Sequence, residues 1–473
     1  MIHSCSYDTV AYPSATFPQT HPDRLAIIAR LHGLDAPPVE SARVLEIGGG
    51  DGFNVIAVAA AFPDSRFLSF DLSATAVARG QALVAASGLA SVRIEQADIL
   101  EMAEAIEPGA WDYIIAHGVY AWVPGSVREA IMALAGHALA PDGVFFVSYN
   151  CRPGGHVRQV MRDMLLHELA DVQGIEWRMA VARRFLVDFA QPRKDDDSVV
   201  AAMRAQAVAM LGRPDAVLFH DELGEVFAPQ YLADVAAAAR QHGLEFLNDA
   251  GRSRMGDGFG AEGLASVSTG EILRAAQSDD FAAMRFFRQS LFVRQGRTIC
   301  RQPQLATLLD CRAAGQFQLG DDGDIRCGEA TFALSDGGLS QWLLDLGSTW
   351  PKHRSVREIA TDDDRMHALY RLHGMGLLHL TTVPPPFALA AGLKPMASPL
   401  VRAQLSLGHN QVTTLHFEQM GLGDAAARGL IALLDGSRDH AQLELEWRHL
   451  PHAPELGLKR ALDMIANQRL LRA

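Results

Sequence analysis

The chain predicts an α/β fold: a doubly wound, mostly parallel sheet, then a mostly helical middle and a mixed α+β C-terminal part. Three observations predict it. β-forming stretches alternate with alanine-rich helical stretches from Arg43 to Ser148, as strands joined by helical crossovers do. A glycine turn, Gly48-Gly49-Gly50-Asp51-Gly52, follows the first strand and opens the first helix. After Gly155 the strand signals give way to long helical runs.

Taken in order, Asp23–Leu31 reads as a short helix. It follows an aromatic, proline-rich arm, Tyr12-Pro13-Ser14-Ala15-Thr16-Phe17-Pro18-Gln19-Thr20-His21-Pro22, expected as an ordered loop. Strand one is Arg43–Ile47 and its helix Phe53–Ala61. Strand two, Arg66–Phe70, ends in Asp71, and Ser73–Ser87 follows as a helix with Ser73 as its cap. Val92–Gln96 is strand three and Trp111–Ala116 strand four. Gly125–Ala138 is a helix, Pro141-Asp142-Gly143 a turn, and Val144–Ser148 strand five. The ligand of such a sheet sits outside the carboxyl ends of its strands.

The middle predicts helices over His156–Ala190 and Ser198–Leu211, with the charged loop Gln191–Asp197 between them. Two more are expected within Ala216–Leu247 and another across Gly270–Gln295, with an irregular glycine-rich stretch at Gly251–Gly263. Beyond it, short strands are expected at Gln304–Leu308, Phe317–Leu319 and Thr331–Leu334. Helices are expected at Gln341–Leu346, Ser355–Leu377, Leu400–Ser406, Gly423–Leu434 and Glu455–Ile465. Small helical modules with short strands suit winged helices. The expected domains are residues 1–155, 156–300 and 301–473.

Composition narrows the function. The 473 residues suffice for two to four domains, and 49% hydrophobic with 21% charged residues describes a globular chain. The formal charge of −13 opposes an extended nucleic-acid surface, so no nucleic-acid partner is expected. None of the five cysteines forms a C-x-x-C, so free thiols in a reducing compartment are expected. No apolar run is long enough to span a bilayer and no leader pattern opens the chain, so the expected location is cytoplasmic.

Three carboxylates fall at successive strand ends: Glu46 before the glycine turn, Asp71 after strand two and Asp98 after strand three. Asp71 can accept from both ribose hydroxyls and Asp98 from an adenine amino group. A dinucleotide turn wants glycine or alanine where this chain has Phe53, and Asp51 is unwelcome beside a pyrophosphate. Both point to a cationic, phosphate-free adenosine ligand, which S-adenosyl-L-methionine satisfies. No metal is expected in the reaction, and no G-x-x-x-x-G-K-[ST] or H-E-x-x-H occurs.

The Glu46-x-Gly48-x-Gly50-x-Gly52 turn with the strand-end acids resembles class I S-adenosylmethionine-dependent methyltransferases over Arg43–Asn150, which implies a Rossmann-like fold. Tyr7-Asp8, Tyr12-Pro13-Ser14 and Phe17–Leu25 resemble the N-terminal signature of one family, whose members carry a methyltransferase regulatory domain. Phe219-His220-Asp221-Glu222-Leu223, His242-Gly243-Leu244, Thr413-Thr414-Leu415-His416 and Leu433–Arg438 extend the resemblance nearly to the C-terminus. Its characterised members are rickettsial protein-lysine methyltransferases, which implies lysine N-methylation of a protein substrate. The chain departs from that pattern at Gly49, where cysteine is usual, and at Cys151–Gly155, where an aromatic residue is expected.

By position, Glu46, Gly48, Gly50 and Asn54 line the methionine end, Asp71 the ribose, and Asp98 with Ile99 the adenine. His117 and Gly118 follow strand four, where the methyl group points. His117, Tyr120 and Tyr149 are the expected catalytic residues, and Tyr12, His21 and Trp122 the substrate wall; each competes with core packing. The arm holding Tyr12, Phe17 and His21 is either a lid or a packed N-terminal segment. Two other functions stay open: methylation of a small-molecule amine or hydroxyl, and a cofactor-sensing interaction protein without turnover. A homodimer is the assembly considered.

Overall fold

In a computed structural model, the structure describes residues 6–194, 196–251, 267–334, 336–450 and 457–473. A seven-stranded sheet in the order β3-β2-β1-β4-β5-β7-β6 organises the first 294 residues. Its strands are β1 (Arg43–Ile47), β2 (Arg66–Asp71), β3 (Val92–Gln96), β4 (Trp111–Ala116), β5 (Leu139–Asn150), β6 (Leu244–Asp249) and β7 (Phe287–Arg294). β1 to β5 pair in parallel, and β7 runs antiparallel to both β5 and β6. The chain reverses direction across the sheet between β1 and β4, the switch point at which such sheets bind ligands. Arg43 pins these strands together, its Nε and Nη2 donating to Asp112 at 3.0 and 2.6 Å.

Both faces of the sheet are buried. Val44, Phe67, Ile115 and Phe146 face one core with the helix Phe53–Ala61, while Leu45, Phe70, Ile114 and Val147 face the other. In the helix, Val55 and Ile56 are fully buried, a burial that stabilises by about 1.5–3 kcal/mol per side chain.

The sheet draws its last two strands from a stretch expected to be a helical domain, so the boundary at residue 155 does not separate the two. Ala216–Leu247 forms helices Asp215–Leu223 and Leu232–Gln241 and then β6. Gly270–Gln295 forms the helix Thr269–Ala282 and then β7, not one continuous helix. Leu291 faces one core and Phe292 the other. A doubly buried strand has no alternation to distinguish it from a helix. The expected strand at Gln304–Leu308 is a 3-10 helix, Leu305–Asp310. β5 begins earlier than expected and carries Pro141-Asp142-Gly143 through a register shift beside Trp111. The Gly251–Gly263 stretch lies outside the described residues except for Gly251, as does the start of the expected helix at Glu455, which is described as Leu458–Asn467.

Helices Gly154–Glu168, Ile175–Ala190, Ser198–Leu211 and Asp215–Leu223 share a small core of their own. The C-terminal part has two further cores, one spanning Leu308–Leu380 with Ile27 and Leu31, the other Ala397–Leu471.

Candidate functional site

The glycine turn meets the end of β2. Gly48, Gly50 and Gly52 have φ of +65°, +61° and +65°, a region that costs other L-residues roughly 1–2 kcal/mol. Gly50 faces open space, and its N–H donates to Asp71 Oδ2 at 2.8 Å, while Asp71 Oδ1 accepts from Ser73 N at 2.9 Å. Burial raises the Asp71 pKa despite these bonds. Asp98 caps the helix Ile99–Ala105 through Leu100 N, at 2.9 Å, and Ile99 is buried behind it.

Glu46 is 3% exposed. Its Oε1 accepts from Asn54 Nδ2 at 2.9 Å and its Oε2 from Ser69 Oγ at 3.0 Å. Burial pushes its pKa up to about 7; the two hydrogen bonds oppose the rise, and the charges of Asp51 and Asp71 add to it. A β-carbon on Gly49 would overlap Ser69 Oγ and Glu46 Oε2. A cysteine there would therefore require this carboxylate–hydroxyl pair to move.

The N-terminal arm crosses the turn. Asp8 accepts from Ser73 Oγ and Thr75 N, at 2.7 and 3.0 Å. Ser14 Oγ donates to Asp51, Phe17 N donates to Asn54 Oδ1 at 3.0 Å, and Asn54 Nδ2 donates to Thr20 Oγ1 at 3.0 Å. These bonds pack the arm across the glycine turn, as both readings of the arm allow. Ser14, Thr20 and Ser69 are not among the expected site residues; their signal, small polar groups within the arm motif and β2, is too common to be specific.

At the end of β4, Ser148 Oγ accepts from Gly118 N at 2.8 Å and lies 2.8 Å from His117 Nδ1. Phe17 packs over the His117 ring with centroids 4.0 Å apart, and Phe287 meets its edge at 6.2 Å. Burial lowers the His117 pKa to about 4. Phe287 pairs in register with Asn150, so β7 sets an aromatic ring beside the end of β5.

Five predicted residues lie elsewhere. Tyr149 is 1% exposed, and its hydroxyl bonds Ser290 Oγ at 3.0 Å in a buried cluster with Asp249 and Arg288. Its pKa is raised by burial. Neither the exposure nor the protonation state suits a proton acceptor. Tyr120 is 3% exposed with its ring 6.1 Å from that of Tyr149, and burial pushes its pKa to about 12. His21 does not face the turn: it meets Phe62 and Phe417 edge-on at 5.8 and 5.2 Å, lining a separate cavity of about 400 Å³. Tyr12 donates to Asp221 at 3.3 Å. Asp221 also pairs with Arg158, whose guanidinium lies 5.0 Å from the centre of Trp122, so Tyr12 and Trp122 join one charged cluster.

Comparison with known proteins bears on the fold and its domains. A methyltransferase domain family matches residues 45–145, a predicted methyltransferase regulatory domain residues 214–294, and a PKMT C-terminal winged-helix domain residues 394–473. The regulatory match thus contains β6 and β7 of the sheet. An uncharacterized Rickettsia prowazekii protein is 31% identical over 244 residues, 51% of this chain and 96% of that one. A second from the same organism is 32% identical over 291 residues, 60% of this chain, which spans about half (52%) of that relative's length. PKMT2 from Rickettsia typhi has the same fold, with 22% identity and a TM-score of 0.79 over 97% of this chain and 100% of that one. In complex with AdoHcy it matches with a TM-score of 0.77, 22% identity and coverage of 97% and 99%. The chain belongs to the family of S-adenosylmethionine-dependent methyltransferases in which a methyltransferase domain is followed by a regulatory domain and a PKMT winged-helix domain.

Proposed function

We propose that the protein transfers the methyl group of S-adenosylmethionine to lysine side chains of a protein substrate. The observation that carries the reading is the set of polar groups around the glycine turn, Gly50 with Asp71, Glu46 with Asn54, and His117 with Gly118, which we assign to the ribose, the methionine end and the methyl group in turn. PKMT2 from Rickettsia typhi and the PKMT winged-helix match support a protein acceptor. Cys151, Cys300, Cys311 and Cys327 are free thiols, which supports the expected cytoplasmic setting. Among the described residues no helix is long and apolar enough to cross a membrane.

Methyl transfer from a sulfonium is an in-line displacement with a neutral thioether leaving group. The chain's part is positioning and exclusion of water. A lysine must arrive without its proton, from an ordinary pKa of about 10.4. With a pKa of about 4, His117 is too weak a base to take that proton. Desolvation beside Phe17, His117 and Phe287 lowers the lysine pKa instead, and the aromatic faces hold the cation as it enters.

Incubating the enzyme and methyl-labelled cofactor with cell lysate tests this reading. Label in methyl-lysine of the protein fraction is expected. Label confined to the small-molecule fraction transfers the proposal to the alternative acceptor. Binding of cofactor with no label in any fraction favours a sensor.

A further inference from the structure

The cavity that contains His21 lies away from the glycine turn, against the far end of the helix Phe53–Ala61. On one wall, His379, His416 and Glu418 each bring a ligand atom to within 4.8 Å of the others. His416 Nδ1 is 3.3 Å from Glu418 Oε1, and the His379 and His416 ring centres are 4.4 Å apart. The edge of a tetrahedron with bonds of about 2.05 Å is about 3.3 Å. A third imidazole lies beside them, outside that 4.8 Å spacing: the His353 ring centre is 5.4 Å from that of His416. His353 is 3% exposed, and neither ring nitrogen has a hydrogen-bond partner within 3.5 Å, the nearest influence being the Pro351 backbone. A buried polar side chain left unpaired costs about 1–3 kcal/mol, and its persistence calls for a ligand. Arg469 Nη2 donates to Glu418 Oε2 at 2.7 Å, which orients the carboxylate and leaves Oε1 free to face the histidines.

We propose that His379, His416 and Glu418 hold one divalent transition-metal ion, with zinc the best fit, and that the neighbouring imidazole of His353 turns onto it as the fourth ligand. Magnesium and calcium take oxygen ligands, whereas three imidazoles and one carboxylate suit four-coordinate zinc. Four protein ligands make the site structural rather than catalytic. His353 and His379 flank the core of residues 308–380, and His416 and Glu418 sit at the tip of the hairpin Gln411–Thr413/Gln419–Gly421 beside the last core. The ion therefore clasps the two C-terminal cores together. The same tip steadies the arm: Thr16 Oγ1 donates to Phe417 O at 3.1 Å, and Gln419 Nε2 to Ser14 O at 3.4 Å. Zinc fixes the hairpin on which this arm rests.

The test uses the full-length protein without an affinity tag, stripped by chelator, then titrated with Zn²⁺ against a chromophoric competitor and with Co²⁺ by visible absorption. Expected are about one ion per chain, the intense d–d bands of tetrahedral Co²⁺, and a higher melting temperature with zinc. Loss of even an outer partner weakens metal sites roughly 10–100-fold, so His379→Gln and His416→Gln should each cost at least about 100-fold. The exposed His367, changed to Gln, should cost nothing. Absence of stoichiometric binding by the unaltered protein, or a Co²⁺ spectrum without tetrahedral bands, overturns the proposal. So does full affinity in a His379→Gln, His416→Gln double variant whose circular dichroism shows it folded.

Discussion

Glu46 sets a pH dependence on cofactor binding. Its carboxyl is buried, and its pKa stands at about 7 against an ordinary 4.5. It is therefore about one-tenth ionised at pH 6 and about nine-tenths at pH 8. Placed by the proposal at the ammonium end of the cofactor, it must ionise on binding. Affinity should fall about tenfold from pH 8 to pH 6, about 1.4 kcal/mol, and about tenfold per further unit. Below pH 7, binding should release close to one proton, measurable by calorimetry in buffers of different ionisation enthalpy. The stability of the free protein runs the other way. A raised carboxyl pKa favours the fold fully below about 4.5, and that share, roughly 3 kcal/mol at most, is lost as pH rises through about 7. Glu46→Gln should bind at least about tenfold more weakly at pH 8 and lose the slope. A flat affinity between pH 6 and 8 in the unaltered protein, or the same slope in Glu46→Gln, refutes the placement of Glu46.

Asp71→Ala should weaken cofactor binding by about 10–100-fold, the loss expected for hydrogen bonds to a charged group, with Asp71→Asn intermediate; unchanged affinity by calorimetry would remove Asp71 from the ribose. Tyr149→Phe should lower stability by about 1 kcal/mol, since only the bond to Ser290 is lost, and leave turnover within about twofold. A collapse of turnover at unchanged melting temperature would restore Tyr149 to the reaction. Phe17→Ala should lower kcat/KM about tenfold, or about 1.4 kcal/mol, with little change in melting temperature, because its ring covers His117 while its backbone keeps the bond to Asn54. Equal loss of stability and activity would make it a packing residue.

The sheet was legible in the sequence as far as β5 because each strand there is bounded by its own turn and helix. The last two strands were not. They follow a long helical insertion, and β7 is buried on both faces, so its pattern carries no period of two. The strand-end acids Glu46, Asp71 and Asp98 were legible as candidates because strand ends in this topology converge. The aromatic wall was legible only in part. His117 lies at a strand end, but Phe287 reaches it through an antiparallel pairing with β5 that no local pattern announces. Tyr149 illustrates the opposite error: one residue along a strand reverses the face, so Ser148 meets His117 while Tyr149 points into the core. His21 sits only a few residues from Phe17, yet it caps the helix Pro22–Leu31 and turns toward the C-terminal part.

The most direct test of the account is a crystal structure of this protein with S-adenosylhomocysteine. The account predicts the ribose hydroxyls on Asp71, the adenine beside Asp98 and Ile99, the amino-acid end toward Glu46 and Asn54, and the thioether directed at His117 and Gly118. A ligand bound elsewhere, or bound there in the reverse orientation with its adenine at Glu46, would contradict it.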